Sequence, residues 1–262
     1  VSKFKTSKTF DMSYMFNYCG ITSIDLSAFD TSLVTSMEQM FTKTSIRSLD
    51  LTYFNTQNVV TMRSMFKGNE NLNEIDLSSF DTSKVTDMFE MFEGNKLIKK
   101  LDLSNFRTNS LLDMGSMFLS CSALTSLIIS NFDTSKVTDM FSLFDTCESL
   151  TSLDITHLKT SNVRDMSGMF RGCKILTSLN LNNVKTSSCT TFDNMFYKCN
   201  SLESLDVSGF NTSKVTTFNY MFKECQTLKV LDLSSFDTSN VKDFSDIFSG
   251  CLSLTSINLS RL

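Results

Sequence analysis

One short pattern returns along the whole chain with almost no change of spacing. Its units open at Ile24, Leu49, Ile75, Leu101, Leu127, Leu153, Leu179, Leu205, Leu231 and Ile257, a step of 26 residues after a first step of 25. A unit this short cannot bury its own apolar face, so equivalent residues of successive units must lie over one another. The spacing predicts a single solenoid domain over residues 1–262. It holds about ten stacked repeats, with no linker between them.

Two periodicities alternate inside each unit. In Ser152-Leu153-Asp154-Ile155-Thr156 every second residue is apolar, the pattern of a half-buried strand. Val137, Met140, Leu143 and Phe144 fall instead on one face of a helix of about two turns. The fold class expected is therefore an α/β repeat solenoid, with a parallel sheet on one face and short helices or turns on the other. A helix of that length does not survive alone and must be held by its neighbours. The preceding Asp-Thr-Ser, as in Asp81-Thr82-Ser83 or Asp237-Thr238-Ser239, is expected to cap its first amides.

Large apolar residues recur in fixed rows. Phe16, Phe41, Phe66, Phe92, Phe118, Phe144, Phe170, Phe196, Phe222 and Phe248 make one row, and Phe29 to Phe236 a second with Leu158 and Val184 inside it. A third runs from Met12 to Met166 and continues as Phe192, Phe218 and Phe244. Burying a Phe or Met is worth roughly 1.5–3 kcal/mol, so these rows account for the core. The chain has no proline and only 8 glycines, so its turns must rest on Ser, Thr, Asn and Asp side chains that bond nearby backbone.

The segment Cys121-Ser122-Ala123-Leu124-Thr125-Ser126-Leu127-Ile128-Ile129, with Met-Phe before the Cys and Phe-Asp-Thr-Ser-Lys-Val-Thr after the strand, resembles the BspA-like leucine-rich repeats. More narrowly it resembles the surface-lipoprotein subgroup of mycoplasmas and lactobacilli. The likeness runs from Phe4 to Leu262, with Thr44, Asn69 and Asn95 standing where later units carry Cys. It implies a bacterial or protist protein at the cell surface or outside the cell, used in adhesion or host contact, and it brings no catalytic residues with it.

The formal charge of −4 and the absence of any Lys/Arg cluster argue against nucleic acid. No apolar run approaches the roughly 20 residues that span a bilayer, and Val1 to Phe10 is too polar for a signal-peptide core. Seven of the 8 cysteines share one repeat position, while Cys189 replaces a Val. Stacked thiols would stand about 4.8 Å apart, beyond disulfide reach, so free buried thiols are expected. With His157 as the lone histidine and no C-x-x-C, neither a metal site nor a Ser-His-Asp or Cys-His arrangement is expected. No cofactor is expected either.

Between the inward residues of the strands runs an acidic row, Asp25, Asp50, Asp76, Asp102, Asp154, Asp206 and Asp232, interrupted by Ile128 and Asn180. Alternation turns it outward. Its mutual repulsion requires relief from flanking serines such as Ser23, Ser27, Ser152 and Ser208, from cations or from a basic partner. The row either blunts the sheet against aggregation or contacts a partner. Equivalent acids on an open face lack the asymmetry that glycosidase chemistry needs. Off the apolar face of the expected helix stand Tyr14, Phe89, Phe141 and Tyr220, with Tyr18 and Tyr197 in the turn after it, as candidate contact anchors. The sequence thus points to a non-catalytic recognition or adhesion module for a protein or glycan on another cell or matrix. The alternative is a structural stalk, or a fibre stacked end to end through the uncapped repeat positions of Phe4 and Leu262.

Overall fold

A computed structural model describes residues 4–260. The expected place of Leu262 in the Phe4 row lies outside them. The chain divides into two compact units, Val1–Asp133 and Thr134–Leu262. Each is a repeat solenoid segment in which consecutive coils pair in parallel.

The strand segments are short. β1 (Lys100–Asp102) pairs with β2 (Ser126–Ile128) in the first unit, with Leu101 opposite Leu127. β3 (Val230–Asp232) pairs with β4 (Ser256–Asn258) in the second, with Leu231 opposite Ile257. Other coils keep the burial alternation without the full ladder: Leu49 and Leu51 are buried around exposed Asp50. There the backbone is tied at the entry to the segment, as by Ser45 N–H to the Ile21 carbonyl at 3.0 Å.

The main backbone ladder lies where the spacing predicts a helix. Among the described residues no helix forms. Instead the amides of Met37, Gln39, Phe41 and Lys43 donate to the carbonyls of Thr61, Arg63, Met65 and Lys67 on the next coil, at 3.1, 2.8, 3.0 and 2.7 Å. Within the coil Met40 N–H returns to the Met37 carbonyl and Thr42 N–H to that of Gln39, so the segment is a ribbon of overlapping β-turns. The physical reason is a left-handed backbone at two positions four residues apart, such as Gln39 (φ 51°) and Lys43 (φ 52°) or Glu90 (φ 57°) and Gly94 (φ 73°). A positive φ ends an α-helix at once, and it turns alternate N–H groups toward the neighbouring coil.

Glycine occupies some of these left-handed positions. A Cβ on Gly172 would lie 2.9 Å from Thr146 Cγ2 and 3.3 Å from its Cα, so the coils approach closely there. Bridges mark the entry to the ribbon on every coil where they are described: Asp11 to Ser36, Ser36 to Thr61, Thr61 to Asp87 and Asp87 to Asp113 in the first unit, and Asp139 to Asp165, Asp165 to Thr191 and Thr217 to Asp243 in the second.

Beneath the ribbon the aromatic row stacks. Phe41 and Phe66 lie 6.0 Å apart between centroids with planes 2° apart, and Phe170 and Phe196 lie 5.8 Å apart at 6°. These four rings are fully buried. Beyond burial, each offset pair adds about 0.5–1.5 kcal/mol. At the last described coil Phe248 of this row is half-buried, and Phe244 of the Met12 row is 42% exposed.

The Asp-Thr-Ser segments also differ from expectation. The Thr is not a helix cap. Thr82 is buried, and its hydroxyl donates to the Arg107 carbonyl at 3.0 Å while accepting the Arg107 amide at 2.8 Å. Thr56 treats Asp81 in the same way in the first unit, and Thr160 and Thr186 treat Lys185 and Asn211 so in the second. Such threonines tie one coil to the next through the backbone N–H and C=O of a single residue, which would otherwise be orphaned.

Candidate recognition surface

Up to three positions per coil carry a carboxylate, amide or hydroxyl that accepts the amide two residues on, as at Asp76, Asp81 and Asp87. This local turn replaces proline and glycine. The outward acidic row is one of them. Asp25 accepts from Ser27 N–H at 3.0 Å and Ser27 O–H at 2.6 Å, and Asp50 accepts from Thr52 at 3.0 and 2.7 Å. Asp76, Asp102, Asp154, Asp206 and Asp232 accept the amides of Ser78, Ser104, Thr156, Ser208 and Ser234. Ser27 and Ser208 therefore stand in the relieving role expected of flanking serines. The hydroxyl two residues after each acid supplies the relief, and Ser23 and Ser152, two residues before, make no such bond in the described set.

All seven aspartates are exposed. The bonds from the following Ser or Thr hold their carboxyls below the ordinary carboxylate range. Asp50 also feels the like charges of Asp25 and Asp76, which oppose that shift, and Asp206 feels Asp232. The row is a line of ionised groups with fixed orientation. Shallow grooves run beside it, one of about 470 Å³ around Asp50, Thr52 and Asp76 and another of about 390 Å³ around Asp154, Thr156 and Asn180. Every acid has the same kind of partner, so nothing separates a proton donor from a base.

The four candidate aromatics do not join the aspartates. Tyr14 and Tyr220 occupy one ribbon column, and both are left-handed, with φ 62° and 59°. Phe89 and Phe141 occupy the column before it. Tyr14 donates to Glu38 at 2.7 Å, and the Arg63 guanidinium lies 4.2 Å over the Phe89 ring. That arginine also pairs with Asp87 at 2.9 Å and reaches Asp113 at 3.9 Å.

The sequence reading missed several groups on this ribbon. Lys67 bridges Glu90 at 2.6 Å and Glu93 at 2.9 Å, in a groove that Lys43, Glu70 and Lys96 also line. Burial raises the Glu93 carboxyl, and the neighbouring Glu90 charge adds to it. Asp145, with a side chain only 2% exposed, pairs with Arg171 at 2.9 Å. Its carboxyl is raised by desolvation against the pull of the arginine. Opposite charges one unit apart, as Asp145 and Arg171 are, were the available signal, and it needed the stacking register to be read.

No thiol among the described residues is in a disulfide, and Cys121, Cys147, Cys173, Cys189, Cys199 and Cys225 are buried. Cys121, Cys173, Cys199 and Cys225 donate to the carbonyls of Phe92, Phe144, Phe170 and Phe196 on the preceding coil at 3.1 to 3.2 Å. Burial pushes Cys121 and Cys189 up to about 12, so neither is a nucleophile near neutrality. Among the described residues no three His, Cys, Asp or Glu side chains group as a metal site. None of the described residues forms a helix long and apolar enough to cross a membrane.

A coil of this kind, paired in parallel with stacked buried rows, defines a leucine-rich-repeat-like solenoid. The family described as "Mycoplasma protein of unknown function, DUF285" matches residues 1–47, 42–152, 95–201 and 176–260, and the chain belongs to it. Among solved structures the chain is similar to a leucine-rich repeat protein from Bacteroides ovatus, at 16% identity over 97% of this chain and 77% of that one, with a TM-score of 0.47. It is also similar to an internalin from Listeria monocytogenes, at 13% identity over 90% and 76%, with a TM-score of 0.31. No curated protein matches the chain.

Proposed function

We propose that the chain is a non-catalytic recognition module, displayed at a cell surface or outside the cell, that binds a protein or glycan through its exposed columns. The observation that carries this reading is the fixed, ionised aspartate row. Seven exposed carboxylates are each oriented by the hydroxyl residue that follows, so a partner meets them already ordered. Within this reading residues 1–262 are a single solenoid domain of about ten stacked repeats, and the chain falls in the BspA-like surface-lipoprotein subgroup. Asp25, Asp50, Asp76, Asp102, Asp154, Asp206 and Asp232 meet the partner on one segment of each coil, and Tyr14, Phe89, Phe141 and Tyr220 on another.

The test is capture. Immobilised chain is exposed to host-surface extract across a range of salt and calcium, beside a variant carrying Asp25→Asn, Asp50→Asn, Asp76→Asn and Asp102→Asn. Asparagine keeps the local turn and removes the charge. The expected result is a species retained by the native chain and lost from the variant. Retention by neither, or equally by both, refutes the role of the row.

A further inference from the structure

We propose that the tyrosine-lysine cluster on the ribbon of the second unit, built by Tyr197, Lys198, Tyr220 and Lys223, is a binding site for a neutral oligosaccharide. This deepens the recognition reading at the ribbon and does not depend on the aspartate row, so the two fail separately.

The two rings come from consecutive coils and lie 6.4 Å apart with planes tilted by 40°. The Lys198 ammonium stands 4.9 Å from the Tyr197 ring centre and that of Lys223 4.7 Å from the Tyr220 ring centre. Lys223 is in turn anchored on Asp246 at 2.8 Å. The rings are therefore held in place before any partner arrives, which lowers the ordering cost of binding.

The backbone shows that the fold does not ask for these side chains. Tyr220 has φ 59° and Lys198 φ 63°. At the equivalent positions of the coil before Tyr197, the chain uses Gly168 and Gly172, also with positive φ. A bulky residue in the left-handed region is a conformational expense that glycine avoids. A tyrosine kept there despite it, half-buried with the Lys223 ammonium over its ring, points to a use at the surface.

The chemistry of the surround selects the partner. Lys198 and Lys223 are balanced by Glu224 and Asp246, so the cluster offers no net field to attract a polyanion or a basic peptide. Protein interfaces centre on dry apolar cores, whereas these rings are bordered by charged groups. A sugar presents C–H faces that stack on aromatic rings, and hydroxyls that pair with ammonium and carboxylate groups. The first unit also sets a lysine over a tyrosine, with Lys43 4.8 Å from the Tyr18 ring centre.

The experiment is calorimetric titration of the whole chain with chitohexaose, cellohexaose, maltohexaose and xylohexaose, with heparin as a charged comparison. Variants Tyr220→Gly and Tyr197→Ser are titrated beside it, and each is melted. At least one neutral hexaose is expected to bind, with affinity falling about tenfold or more in both variants. Tyr220→Gly is expected to melt roughly 2–4 °C higher than the native chain, because glycine relieves the left-handed backbone. Binding of no neutral hexaose, binding of heparin alone, or affinity unchanged in both variants overturns the proposal. So does a lower melting temperature for Tyr220→Gly, which makes the ring a structural support. Absence of hexaose binding by the native chain together with its retention of the extract species overturns this proposal and leaves the aspartate row standing on its own.

Discussion

The same buried column is built from different residues in the two units. In the first unit it runs through Cys19, Thr44, Asn69, Asn95 and Cys121, and in the second it is Cys at every coil from Cys147 to Cys251. Asn69 donates to the Phe41 carbonyl at 2.8 Å and the Phe66 carbonyl at 2.9 Å, and its Oδ1 accepts both the amide and the hydroxyl of Thr44. Asn95 repeats the two donations, to Phe66 and Phe92, but its Oδ1 has no protein partner. Cys199 makes the single donation to Phe170 on the coil before. Asn69, Asn95 and Cys199 thus each aim a donor at the aromatic row's carbonyl a coil away, whereas the Thr44 hydroxyl donates to Asn69 instead. An amide is needed only where Thr44 supplies something for its oxygen to accept.

Four outcomes test that comparison. Asn69→Ala removes four bonds from a site 2% exposed and is expected to lose roughly 3–5 kcal/mol in urea unfolding, the largest effect of any single rung. A loss below that of Cys199→Ala would break the comparison. Alkali comes next. The buried thiols are raised in the folded state, so the stability they contribute is full below the ordinary thiol value of 9.0 and is lost as pH climbs toward the folded value, about 12 for Cys121. The urea midpoint is therefore expected to fall steadily above pH 9 and to stay flat from pH 7 to 8.5, and Cys199→Val should blunt the fall. A midpoint that declines equally in both proteins would assign the effect to other groups.

Cys199→Ala loses one weak bond and a sulfur's volume, for about 1–2 kcal/mol by the same unfolding measurement. Asn95→Cys is expected to be the mildest, below about 1 kcal/mol, because it exchanges the first unit's rung for the second unit's and removes an orphaned oxygen. A penalty as large as that of Asn69→Ala would show that the amide matters for its own sake.

Much of the core was legible in the sequence because burial follows the repeat directly. Phe41, Phe92, Phe170 and Phe222 are fully buried where the spacing puts them, and Asp50 and Asp154 face solvent where alternation puts them. The helix was not legible as anything else, since Met140, Leu143 and Phe144 have one-face spacing in a helix and also line one side of a turn ribbon. The signal that separates the two is the sign of φ at the third residue of the turn. A sequence that places Tyr14, Glu90 and Asp246 there, instead of glycine, hides it. Of the candidate surface, the aspartate row and its serines were visible. The stacking of Lys198 and Lys223 on tyrosines was not, because those partners are set by register and side-chain reach rather than by neighbouring positions.

The sequence by itself determined the repeat, the rows that are buried, the buried thiols and the exposed acids, because each follows from one residue's polarity multiplied along a constant spacing. Only the tertiary structure decided where the backbone bonds run and which threonine hydroxyl closes them. It also fixed which residues take the left-handed conformation. Those choices depend on carbonyls of the next coil, 24 or 25 residues away, which accept the amides of the ribbon only when it turns instead of winding into a helix.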